Sequence, residues 1–301
     1  GYVQKDDTTK SINGKPTYYF RGNVTNNYVT FAGMTWRIVR INEDGTIRLI
    51  SALQYDGGAY SGSANGSYES SSIKTKIDNW YNNLSTANQS LIATGVFCND
   101  TTLTASSRLS SSPTFVCPTN AKTLNLKAGI ISADELRYSG SAINANGNTF
   151  INNGWTWTMT MASSTRMYYI RDAGVWNDAD GTITSRYRNY RYIINLNSDV
   201  TVTSGDGTSS NPFVVASNSL TSVSNTTDYK VTQYFSAIPN SGYEYESLSC
   251  TNSQTASYDK ATGKLMITPT KDTTCTVKFK KKTISNTILA SNTIITSTPD
   301  F

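Results

Sequence analysis

The chain has no histidine. That absence removes the commonest general base, the Ser–His and Cys–His pairs of nucleophilic catalysis, and the usual ligands of catalytic zinc. Charge is scarce too: 16% of the 301 residues are Asp, Glu, Lys or Arg, the net charge is +5, and only Lys280, Lys281 and Lys282 form a basic run. Nothing in that distribution makes the stripe that tracks phosphates, so nucleic acid is not an expected partner. No apolar run approaches the roughly 18–20 residues that a membrane-crossing helix needs. The first residue is Gly1, with neither Met nor a signal-peptide pattern after it, as in a processed or excised segment. Asp134 and Glu135 are adjacent and would diverge on a helix, which makes them a poor acid–base pair. Catalysis is therefore not expected.

What is abundant is Ser, Thr, Asn, Gly and Tyr, a composition that suits β-rich extracellular proteins better than helical cytosolic ones. The length suits a large domain and a small one. Four cysteines allow three pairings. Proximity in sequence favours Cys98 with Cys117 and Cys250 with Cys275, which would point to an oxidising compartment; free buried thiols are the alternative.

Short alternating runs at 17–20, 28–31, 35–41 and 46–50 read as strands, with the Asp44-Gly45 turn as a hairpin signal. The spacing of Ile73, Ile77, Trp80, Tyr81 and Leu84 predicts an amphipathic helix over 70–84, capped by Ser70, Ser71 or Ser72. Ser132 and Glu135 stand at capping-box spacing. All eleven Arg lie at or before Arg191, whereas eight of the fifteen Lys lie from Lys230 onward, which argues for a boundary within 204–219. Alternating runs at 229–238, 243–250, 265–267 and 274–279 then read as a small all-β module.

The stretch 155–196 stands apart. Eight of its 42 positions are aromatic, and it carries five Arg and no Lys. A core can use the Trp residues but hardly five Arg, so the stretch reads as a binding surface. The expected ligand-facing set is Arg166, Tyr168, Tyr169, Arg171, Trp176, Asn177, Arg186, Tyr187, Arg188, Asn189, Tyr190 and Tyr192, offering stacking faces and bidentate donors to a protein or glycan. A polar sheet whose outer face happens to be Tyr- and Arg-rich is the competing reading. Calcium is the one candidate cofactor, through the hard oxygens of Asn177, Asp178 and Asp180 before Gly181, although that pattern is also an ordinary turn.

The runs 18–24, 31–42, 44–50, 127–136, 157–159, 191–196 and 205–213, from YYFRGNV to GDGTSSNPF, give residues 15–215 a resemblance to a family of secreted and surface-anchored proteins of gut-type Gram-positive bacteria. That resemblance implies a C-type-lectin-like fold, akin to the formylglycine-generating-enzyme scaffold, with the segment before the last strands as its ligand-facing surface. Trp176-Asn177-Asp178 also matches the triplet of sugar-binding C-type lectins. In place of the usual Arg-Pro-Val ending stand Arg191, Tyr192 and Ile193. Residues 239–244 and the Cys250–Cys275 frame resemble the small β repeats that act as spacers in Gram-positive surface proteins.

The expected architecture is accordingly α+β: a C-type-lectin-like domain with few short helices at 1–215, a small β-sandwich repeat-like domain at 216–282, and an extended tail at 283–301. The expected function is an extracellular or cell-surface adhesion module. Its rival is a filament or surface-layer subunit that assembles with itself head to tail, Ile284, Ile288, Leu289, Ile294 and Ile295 of the tail completing a neighbour's sheet.

Overall fold

Four consecutive strands, Thr17–Arg21, Tyr28–Phe31, Met34–Ile41 and Ile47–Ser51, form where apolar and polar side chains alternate. The computed structural model describes residues 1–61, 67–99, 111–119, 121–152, 154–176, 182–216, 229–237, 239 and 243–281. Met34–Ile41 lies antiparallel to the other three. Ala32 and Gly33, both at positive φ (51° and 73°), make the tight link from Tyr28–Phe31, the conformation that two-residue hairpin turns demand. The Asp44-Gly45 turn closes the next hairpin, with the Asn42 amide donating to the Thr46 carbonyl over 2.9 Å. Ile193–Leu196 extends the sheet along Ile47–Ser51, and Ala128–Gly129 pairs with it in turn. On the far side Phe213–Ala216 runs parallel to Tyr28–Phe31.

A second sheet runs in the order Ala142–Ile143, Gly174–Trp176, Arg166–Arg171, Thr156–Ser163, Arg188–Tyr190, Tyr55–Gly58. Its central strand, Thr156–Ser163, is buried at every position but the last, so both its faces are covered. The helix Ser72–Asn82 forms as its spacing predicts, capped by Ser71, whose hydroxyl accepts from the Lys74 amide. It buries Ile73 and Ile77 and brings Trp80 onto Tyr192, the rings stacked 4.4 Å apart. Trp36 and Tyr55 complete that aromatic core.

The helix Ala133–Ser139 carries the full capping box between Ser132 and Glu135. Its Glu135 reaches into the fold and meets Arg48 (Nε to Oε1, 2.5 Å) and Arg40 (Nη2 to Oε1, 3.4 Å). All three side chains are buried. Burial works to raise the Glu135 pKa, but Arg48 and then Arg40 outweigh it and hold the carboxyl below its ordinary value. Burial draws the Arg48 guanidinium down to about 10.

These elements correct the α+β expectation. Strands make up 44% of the described residues and helical turns of all kinds 14%, four α-helices among them. Three of those helices, Lys10–Asn13, Thr86–Ser90 and Ala133–Ser139, span at most seven residues and cannot form a layer. The abundance of Thr, Tyr, Ile and Val favours the pleated state, and only Ser72–Asn82 has enough apolar spacing to last three turns. Tyr2–Asp6 and Lys122–Leu126 add further strands.

The chain divides into two compact units, the first comprising 1–200 and 204–215 among the described residues, the second 201–203 and residues from 216 on. The second unit contains a three-stranded sheet, Gln233–Ser236, Lys264–Ile267 and Ala256–Asp259 in that order, and a ribbon of Tyr243–Cys250 with Cys275–Lys281. Leu265, Ile267 and Val277 fill its small core, with Tyr245 stacked on Tyr258 at 4.8 Å. Disulfides join Cys98 to Cys117 and Cys250 to Cys275, the latter pair directly opposite in the ribbon. No helix among the described residues is long and apolar enough to cross a membrane. The 283–301 tail lies outside the described residues.

Candidate functional site

Trp155 enters the second sheet just ahead of Thr156–Ser163, after Gly154 at φ 74° has turned the chain. A Cβ at 154 would displace the end of the flexible Gln54 side chain, and it is the positive φ that calls for glycine there. The Trp155 ring lies flat on Tyr169, 5.6 Å between centroids and 9° from parallel. The Asn189 amide donates to the Trp155 carbonyl over 2.8 Å and ties the strand Arg188–Tyr190 alongside.

Two guanidinium groups interleave with these rings. Arg171 Cζ sits 3.9 Å from the Trp176 ring centroid and 5.2 Å from that of Trp155. Arg188 Cζ sits 4.2 Å from Trp155 and 5.0 Å from Tyr169. In space the order is Trp176, Arg171, Trp155, Arg188, following the order of strands across the sheet. Each such contact contributes about 0.5–1 kcal/mol at a partly exposed site, and together they hold flat side chains in one orientation. Gln54, Gly154, Trp155, Tyr187, Arg188 and Asn189 line a groove of about 210 Å³ at the end of this ladder. Tyr187 is 76% exposed and Trp155 38%, whereas Gln54, which accepts from the Thr156 hydroxyl at 3.2 Å, is held at the base.

The twelve residues expected to face a ligand separate sharply. Arg171, Trp176, Arg188 and Asn189 are partly exposed and meet in or beside the ladder, with Tyr187 standing out from it. Arg166 and Arg186 are exposed without joining the groove. Tyr168, Tyr169, Tyr190 and Tyr192 are buried, which corrects their assignment as ligand-facing residues. Tyr169 supports Trp155 from below, and Tyr190 and Tyr192 belong to the aromatic core with their hydroxyls 3.2 Å apart. Burial, and then the hydrogen bond with Tyr190, push the Tyr192 hydroxyl pKa well up. Simple alternation does not account for the separation: Arg188 and Tyr190, two positions apart, would share a face of a regular strand, but the pairing with Tyr55–Gly58 shifts register between them, and Tyr190 is buried while Arg188 is partly exposed.

Arg side chains are also buried in this fold, against the expectation that a core has little use for them. Arg191 is 3% exposed and donates to the Ser51 and Asn152 carbonyls. Burial brings its pKa down to about 10. Arg37 is buried likewise, with Nε 2.6 Å from Asn27 Oδ1 and Nη2 2.6 Å from the Val24 carbonyl.

Trp155, Gly154 and Gln54 were missed as site residues. Trp155 carried a signal in the aromatic richness of its stretch; Gln54 carried none, being a lone amide about a hundred positions away. The calcium candidates Asn177, Asp178 and Asp180 lie outside the described residues. Among the described residues no group of three or more Cys, Asp or Glu side chains is gathered as a metal would require. No protein-family model, no curated protein and no solved structure matches the chain.

Proposed function

We propose that the chain is a non-catalytic extracellular binding module whose ligand, a protein segment or a glycan, docks on the groove bounded by Trp155, Tyr187 and Arg188. The observation that carries this reading is the pair of exposed aromatic side chains held beside a stacked ladder of rings and guanidinium groups. Flat rings that are already immobilised lose little entropy when a ligand stacks on them, which is why Trp, Tyr and Arg dominate binding hot spots. Gln54 and Asn189 add amide donors and acceptors to the groove's lining. The two disulfides favour an oxidising, extracellular compartment.

Printed arrays of glycans and of peptides, probed with the wild-type chain, test the reading. Trp155→Ala and Tyr187→Ala are each expected to weaken the hits at least tenfold, while Tyr2→Ala, an exposed tyrosine on the strand Tyr2–Asp6, leaves them unchanged. Hits that survive both groove substitutions would overturn the assignment of the site.

A further inference from the structure

A different part of the first unit gathers buried charge around a small cavity. A cavity of about 30 Å³ lies against the buried Arg40–Glu135–Arg48 cluster, lined also by Ser132, Thr160 and Phe115 and bordered by the Cys98–Cys117 disulfide. That volume admits one or two guests of water size and nothing as large as a carboxylate ligand.

The cluster carries an excess positive charge. Arg40 and Arg48 face one carboxylate, Glu135, while Asp134, the other acid on the cavity wall, pairs with Arg137 (Nη1 to Oδ1, 3.4 Å). Donors are in excess as well. Glu135 Oε2 accepts from the Ser132 amide at 3.0 Å and from Arg48 Nη2 at 3.4 Å, while its Oε1 forms the ion pairs with Arg48 Nε and Arg40 Nη2. Arg40 is more than nine-tenths buried, yet its Nε has no hydrogen-bond partner. The Ser132 hydroxyl oxygen accepts from the Glu135 amide and that of Thr160 from the Ala133 amide. Neither hydroxyl donates to any described residue, so both protons are available. A water would bring two more protons into a space already rich in donors; an anion brings only acceptor capacity and cancels the surplus charge.

We propose that this cavity is a structural site for one small monovalent anion of the halide class, held by Arg40 Nε with the hydroxyls of Ser132 and Thr160. The anion completes the coordination of Arg40, whose guanidinium carbon is covered on another side by the Phe115 ring at 4.5 Å.

Crystals of the chain grown in sodium bromide test the site directly through anomalous scattering. A bromide peak within hydrogen-bonding reach of Arg40 Nε is expected; a water refining there with no anomalous signal overturns the proposal. In solution the melting temperature is expected to rise saturably with chloride or bromide and not with gluconate at the same ionic strength. Arg40→Gln should abolish that difference, and a variant that keeps the halide response refutes the role of Arg40. Equal melting of the wild type in chloride and gluconate would also overturn the proposal, so the answer does not depend on how well the variant folds.

Discussion

Glu135→Gln separates charge from shape at the centre of the first unit. Gln can still reach back to the Ser132 amide, so the capping box survives, but the negative charge between Arg40 and Arg48 is gone. Arg48 approaches Glu135 at 2.5 Å with its side chain 2% exposed, and the two buried cations would lose the carboxylate that pairs with both of them among the described residues. Removing one partner of a buried ion pair costs about 3–5 kcal/mol, because the remaining charge stays desolvated. For a unit of about 200 residues that corresponds to a fall in melting temperature of roughly 6–20 °C.

Urea unfolding at neutral pH in gluconate, which keeps halide out of the neighbouring cavity, measures the difference. The sign with pH follows from the depressed folded-state pKa of Glu135. The stability due to ionised Glu135 is present above the unfolded value, about 4.5, and is lost as pH falls from there toward the folded value. The gap between wild type and Glu135→Gln should therefore narrow on acidification. A variant within about 1 kcal/mol of wild type at neutral pH, or a gap that does not change with pH, would refute the reasoning.

Gly154→Ala places a Cβ against the Gln54 amide at a backbone conformation that L residues rarely adopt, and should cost about 1–3 kcal/mol in urea unfolding while moving Trp155, read as a shift in tryptophan emission. An unchanged spectrum and midpoint would show that the turn is not what positions the ring. Replacing Cys250 and Cys275 by Ser opens a crosslink of 25 residues' separation and should destabilise the second unit by about 3–4 kcal/mol, measured by hydrogen exchange of the strands 243–250 and 275–281. Undiminished protection would mean that Leu265, Ile267 and Val277 suffice as a core.

Elements whose pattern is local were legible in the sequence. The strands Tyr28–Phe31 and Met34–Ile41, the helix Ser72–Asn82 and the capping box of Ser132 and Glu135 form where period, turn chemistry and caps agree. Both disulfide pairings follow the proximity of their cysteines in the chain. The strand Thr156–Ser163, TWTMTMAS, shows where such reading ends: its alternation suggests one solvated face, yet Thr156, Thr158 and Thr160 are as buried as the residues between them.

The sequence by itself determined that the chain is rich in short strands, that histidine chemistry is absent, and that Tyr, Trp and Arg concentrate between 155 and 196. Only the tertiary structure decided which of those side chains meet solvent. Tyr187, just ahead of the strand Arg188–Tyr190, is exposed, whereas Tyr190 and Tyr192 are buried because segments far off in the chain cover them, Tyr55 packing on Tyr190 and Trp80 on Tyr192. The same holds for charge: Arg48 can be buried because Glu135 arrives from a helix 87 positions away. Composition carries no trace of that pairing, because burying a cation depends on where its partner lies in space.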